Sequence, residues 1–94
     1  MIIAVDYDGT LCINGQPNTV LIARLRQDQR CGNIVILWTC RSGRSLNEAV
    51  QFLAANGFRP NFINCNAPEV IRRLGHDSRK VYADIYIDDK AVRL

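Results

Sequence analysis

The chain has 94 residues, 48% hydrophobic and 22% charged, a length and balance that suit one small globular domain and exclude a disordered or fibrous chain. Its apolar runs fall far short of a membrane span and its N-terminus reads as a strand rather than a secretion signal, so a cytoplasmic location and no membrane partner are expected. The net charge of +3 comes from 12 Lys and Arg against 9 Asp and Glu; setting aside four acids at two strand ends leaves the bases in clear excess, which suits an anionic substrate.

The apolar run Met1-Ile2-Ile3-Ala4-Val5 predicts a first strand over 2–6 that delivers Asp6-Tyr7-Asp8-Gly9-Thr10-Leu11 where it stops. Tyr7, between the two acids, is expected to point into the fold or against the next loop. Asn14-Gly15 and Pro17 predict a short loop or tight hairpin over that point. A first helix starts near Asn18 or Thr19, with Val20, Leu21, Ile22 and Leu25 inward, and Gly32-Asn33 stops it. The β-branched run Ile34-Val35-Ile36-Leu37-Trp38 predicts a second parallel strand buried on both faces, ending in Thr39-Cys40-Arg41-Ser42-Gly43.

Ser45-Leu46-Asn47-Glu48 fits a capping box, and Leu46, Ala49, Val50 and Leu53 repeat at helical spacing before Asn56-Gly57. A short third strand over 61–65 leads to a third helix from Asn66-Ala67-Pro68-Glu69 to about Leu74, with Gly75 at its exit. Arg79-Lys80 introduces a last strand, Val81-Tyr82-Ala83-Asp84-Ile85-Tyr86-Ile87, which ends in Asp88-Asp89 and is expected beside the first. Alternating strands and helices predict an α/β fold with a parallel sheet and right-handed crossovers.

Turn chemistry alone explains either acidic pair, because Asp bonds its own backbone and Gly accepts positive φ. Two pairs delivered by two buried strands are harder to explain so. Carboxylates gathered there repel and resist desolvation unless a cation or hydrogen bonds offset them. Asp6, Asp8, Asp88 and Asp89 therefore suggest a hard divalent cation such as Mg2+, which needs one or two carboxylates beside water and phosphate oxygens. Ligands of open α/β sheets bind beyond the carboxyl ends of the strands, which is where these acids fall. Cys12, Cys31, Cys40 and Cys65 lack zinc-ligand spacing, and His76, the one histidine, lies far from them in sequence. They read as reduced thiols. Arg24, Arg26, Arg30, Arg72 and Arg73 read as a solvated helix surface.

The ordered set Asp6-x-Asp8-Gly9-Thr10, Thr39, Lys80 and Asp88-Asp89 resembles the haloacid dehalogenase superfamily of aspartate-nucleophile phosphatases. The resemblance covers essentially the whole chain and is greatest to small members without a cap domain. It implies a three-layer, Rossmann-like parallel sheet of about four strands with flanking helices, and a Mg2+-dependent phosphomonoester hydrolase working through an aspartyl phosphate on Asp6. Asp8 would be the general acid and base. Thr39 and Lys80 would bind phosphoryl oxygens, Lys80 also holding the nucleophile. The metal would take Asp6, the backbone carbonyl of Asp8, and Asp88, with Asp89 as support or alternative ligand. Arg41 and Lys90 flank the same edge as candidates for substrate binding. The short 11–18 segment leaves the site open, to small esters or to accessible phosphates on a macromolecule. The last strand would be an exposed edge that a second copy of the chain could cover.

Two rival readings differ in class. A phospho-acceptor receiver module also combines acids, Thr and Lys on a parallel sheet, but its acceptor Asp follows the third strand, where this chain has Cys65-Asn66. A non-catalytic binding domain, for example for nucleic acid, would use the arginines alone; interleaved aromatics are missing.

Overall fold

The computed structural model describes residues 1–77 and 81–89, and the backbone of 92–93. The elements in chain order are β1 (Ile2–Val5), β2 (Cys12–Ile13), β3 (Gln16–Pro17), α1 (Thr19–Arg30), β4 (Ile34–Leu37), α2 (Gly43–Ala55), β5 (Phe62–Ile63), α3 (Pro68–Leu74), β6 (Ile85–Ile87) and β7 (Val92–Arg93). The main sheet runs β5-β4-β1-β6-β7. Its first four strands are parallel, and β7 pairs antiparallel with β6. The expected parallel sheet, with its last strand beside its first, is therefore present. The free edge expected on that last strand is not: Val92 and Arg93 pair with Ile87 and Tyr86, so β6 is covered from within the chain.

β1 is the centre of the molecule because its side chains are apolar on both faces. Ile3 and Val5 join Ile22 and Leu25 of α1 and Ala49 and Leu53 of α2 in one core. Ile2 and Ala4 join Val70 of α3, with Ile36, Val81 and Ala83, in the other. Period-two alternation thus feeds two separate layers from one strand. Fully burying a Leu such as Leu25 or Leu53 contributes roughly 1.5–3 kcal/mol relative to exposure, so both helices are held mainly by that face.

Several boundaries depart from the sequence expectation, each for a local reason. Val20, placed inward by periodicity, is 81% exposed, because Ile22 and Leu25 alone meet the sheet while Leu21 packs at the margin of the core. The capping box does not form. α2 begins at Gly43 with Ser42 as its N-cap, and Ser45, already inside the helix, donates its hydroxyl to the Ser42 carbonyl. Of the last apolar stretch only Ile85–Ile87 is strand; Asp84 instead clamps the start of β1, its Oδ2 accepting from the Ile2 N–H at 2.7 Å. The loop over the site is the expected tight hairpin. Cys12 pairs with Pro17 and Ile13 with Gln16, across Asn14 and Gly15, both at positive φ as a two-residue hairpin turn requires. Among the described residues no helix is long and apolar enough to cross a membrane.

Candidate active site

Because β1, β4 and β6 are parallel, the residues that follow them leave the sheet at one edge. Asp6 follows β1, Trp38 and Thr39 follow β4, and Asp88 and Asp89 follow β6. These residues, with Cys40, line one cleft of about 360 Å3. A second cleft of about 410 Å3, bounded by Gly9, Asn18 and Arg24, shares Asp88 and Asp89 with it.

Asp6 is fixed at the strand end by its own backbone. Its N–H donates to the Ile87 carbonyl at 2.9 Å, extending the β1–β6 pairing by one step. Its carboxylate Oδ1 accepts from the Tyr7 N–H at 2.8 Å. Burial raises its pKa above the ordinary carboxylate value; the Tyr7 N–H opposes this, and the charges of Asp8, Asp89 and Asp88 add to it. Tyr7 points into the core, one of its two expected directions, edge-on to Phe52 at 6.0 Å, and burial pushes its phenol up to about 12.

Asp8 faces the other way. Arg41 grips its carboxylate with both arms, Nε to Oδ2 at 3.0 Å and Nη2 to Oδ1 at 2.8 Å. These charge-assisted bonds hold Asp8 below its ordinary range. The guanidinium also lies over the Tyr7 ring, 4.8 Å from its centroid, and donates to the Ser45 carbonyl at 3.1 Å. Arg41 is thus locked on three sides, a role the sequence did not reveal. Its backbone N–H donates to Thr39 Oγ1 at 3.2 Å, and the Thr39 N–H donates to Asn64 Oδ1 at 2.8 Å. Asn64, at φ 53°, is a support the sequence reading missed; the one signal was an Asn directly after the third apolar run.

Gly9 at φ +74° passes close to Asp89, whose Cβ lies 3.1 Å from where a Gly9 side chain would begin. This is the contact by which the two acidic segments, distant in sequence, abut. Lys80, expected to bind phosphate, and Lys90 lie outside the described residues. Among the described residues, no three His, Cys, Asp or Glu side chains stand close enough to enclose an ion. Asp8 is turned to Arg41, which leaves its backbone for the metal role that the resemblance implies. The carboxylates in the cleft still fit Mg2+ chemically, since Asp6 and Asp88 give the one or two carboxylates that this ion takes beside water and phosphate oxygens.

No family model and no curated protein matches the chain. A solved structure does: a conserved protein from Bacteroides thetaiotaomicron, 34% identical, with a TM-score of 0.82 over 97% of this chain and 77% of that one. With that identity over nearly its full length, the chain belongs to one family with this conserved bacterial protein.

Proposed function

We propose that the chain is a Mg2+-dependent phosphomonoester hydrolase of the haloacid dehalogenase type, with Asp6 as its nucleophile and an open cleft without a cap. The observation that carries this reading is the meeting of Asp6, Thr39, Asp88 and Asp89 in one cleft at the parallel strand ends. The 12–17 hairpin is a small cover, in keeping with an open site that would act on cytoplasmic phosphate esters.

In this reading an Asp6 oxygen attacks phosphorus, the bond to the leaving oxygen breaks, and Asp8 gives that oxygen its proton. Asp8 then takes a proton from water, which attacks phosphorus; the bond to Asp6 breaks and inorganic phosphate leaves. Asp6, the backbone carbonyl of Asp8 and Asp88, with Asp89 as support or alternative, would hold Mg2+, which when bound would supply positive charge to offset the carboxylates and the phosphoryl group. Thr39 would donate to one oxygen. Asp8 can do its work only when Arg41 releases it, and a substrate phosphate offers the guanidinium a competing bidentate, doubly charged acceptor. Arg41 therefore couples substrate arrival to a free Asp8.

The test is phosphate release from p-nitrophenyl phosphate and acetyl phosphate with Mg2+ or chelator. Activity should need the metal, and Asp6→Asn should lower it by at least about a thousandfold. A second reading has one observation in its favour: with Asp8 held by Arg41, an aspartyl phosphate on Asp6 would be hydrolysed slowly, as in a phospho-acceptor. Acetyl phosphate that labels Asp6 without turnover would select that reading. Equal silence of both proteins, folded and without labelling, would remove both.

A further inference from the structure

The Asp6 cleft carries a feature that phosphoryl transfer does not use. Trp38, the one tryptophan of the chain, lines it together with Asp6, Thr39 and Asp88. The sequence places Trp38 at the end of a strand buried on both faces, yet the residue is 40% exposed, while Ile36 and Leu37 just before it are fully buried. Leaving so large an apolar surface in water forfeits burial at roughly 25 cal/mol per Å2. Its back is nonetheless fixed. The indole rests on the Tyr86 ring, with centroids 5.8 Å apart and planes at 57°. Tyr86 is itself pinned, its hydroxyl donating to the Val81 carbonyl at 2.6 Å and accepting from the Ala83 N–H at 3.0 Å.

A rigid indole with an open surface beside a phosphate-sized acidic site is suited to hold a flat ring, because aromatic surfaces stack at little conformational cost. We propose that Trp38 is the stacking platform for a planar aromatic ring carried by the leaving group, so that the substrates are phosphomonoesters of nucleosides or of aryl alcohols rather than of sugars without such a ring. The cleft, at about 360 Å3, lies within the range of small-molecule sites, roughly 300–1,000 Å3. Trp38 takes no part in the chemistry; it selects the group on the far side of the scissile bond. The inference rests on the hydrolase reading for the word substrate, but its stacking geometry does not.

The experiment uses Asp8→Asn protein with Mg2+, which lacks the general acid but keeps Asp6 and Asp88 for the metal, and in which Trp38 is the sole indole reporter. Adenosine monophosphate, phosphotyrosine and ribose 5-phosphate are titrated, following tryptophan fluorescence and, separately, heat of binding. Saturable quenching by the two aromatic esters, and none by ribose 5-phosphate, is expected; the tighter of the two tells nucleoside from aryl ester. Adding Trp38→Ala should weaken the aromatic esters about tenfold, Trp38→Phe should restore most of that, and ribose 5-phosphate should be unaffected by either. Equal affinity for all three compounds, equal weakening of all three by Trp38→Ala, no recovery by Trp38→Phe, or no binding at all would overturn the proposal. Ring-selective binding by a chain that releases phosphate from no ester would leave the platform standing and remove the hydrolase reading.

Discussion

Asp6 is held where its charge is least comfortable, and that cost can be measured. The folded chain keeps the Asp6 proton more tightly than the unfolded chain does, because burial and the charges of Asp8, Asp89 and Asp88 raise its pKa above 3.8. Between that value and the raised one the native state holds more protons than the unfolded chain, so stability falls as pH rises across that window. Above it the penalty is fully present. Asp6→Asn removes the charge and keeps the oxygen that accepts from Tyr7. In chelator at neutral pH the variant should melt above the parent, and the gap should close as pH falls below about 4. Thermal melts across pH would check this, and a variant that melts lower throughout would show that the Asp6 carboxylate holds the strand end together. The roles at this scale were unequally legible. Asp6 and Asp8 could be found because acids after an apolar strand are conspicuous. The clamp of Arg41 on Asp8 could not, because it joins residues 33 positions apart through a side chain whose direction no local pattern sets.

Among the elements, α1 is joined to the loop that carries the site by the residue at its start. Asn18 caps the helix, its Oδ1 accepting from the Leu21 N–H at 3.2 Å. Its Nδ2 donates to the Thr10 carbonyl at 3.0 Å, in the loop that carries Asp8 and Gly9. Asn18→Ala should cost about 1 kcal/mol for the cap, a fall in Tm of roughly 4–8 °C for a domain of this size. Asn18→Ser should recover most of that stability, since its hydroxyl can cap the helix although it replaces no amide donor toward Thr10. Urea denaturation of the three proteins decides: if Ser is as damaging as Ala, the link to Thr10 rather than the cap carries the effect. The helix start was readable to within one residue, near Asn18 or Thr19, but not which of the two caps it, because both side chains can accept from the first-turn N–H groups. The apparent box at Ser45 misled because the same residue types serve inside a first turn, and α2 had begun at Gly43. Trp38 was read as core because a hydrophobic run carries no mark of where its strand leaves the sheet.

For the whole molecule, the decisive event is the pairing of β1 with β6, Ile3 with Ile85 and Val5 with Ile87. It joins segments from opposite ends of the sequence and gathers Asp6, Asp88 and Asp89. Alternating strands and helices made the parallel sheet legible, and two apolar strands that each end in an acidic pair were read as neighbours. β7 was not legible, since a two-residue strand has no periodicity to read. The gathering concentrates negative charge across a contact that loop closure already makes costly. A cation shared by Asp6 and Asp88 would offset both, because it binds only when the two strand ends are together. Mg2+ at about ten times its dissociation constant should then stabilise the fold by about 1.4 kcal/mol, a rise in Tm of roughly 5–10 °C. Asp6→Asn and Asp88→Asn should each abolish most of that rise while leaving a folded protein, and chelator should reverse it in the parent chain. A rise of equal size in both variants would put the ion elsewhere on the molecule, and its absence in the parent would leave the acidic cleft without the cation on which the proposed chemistry depends.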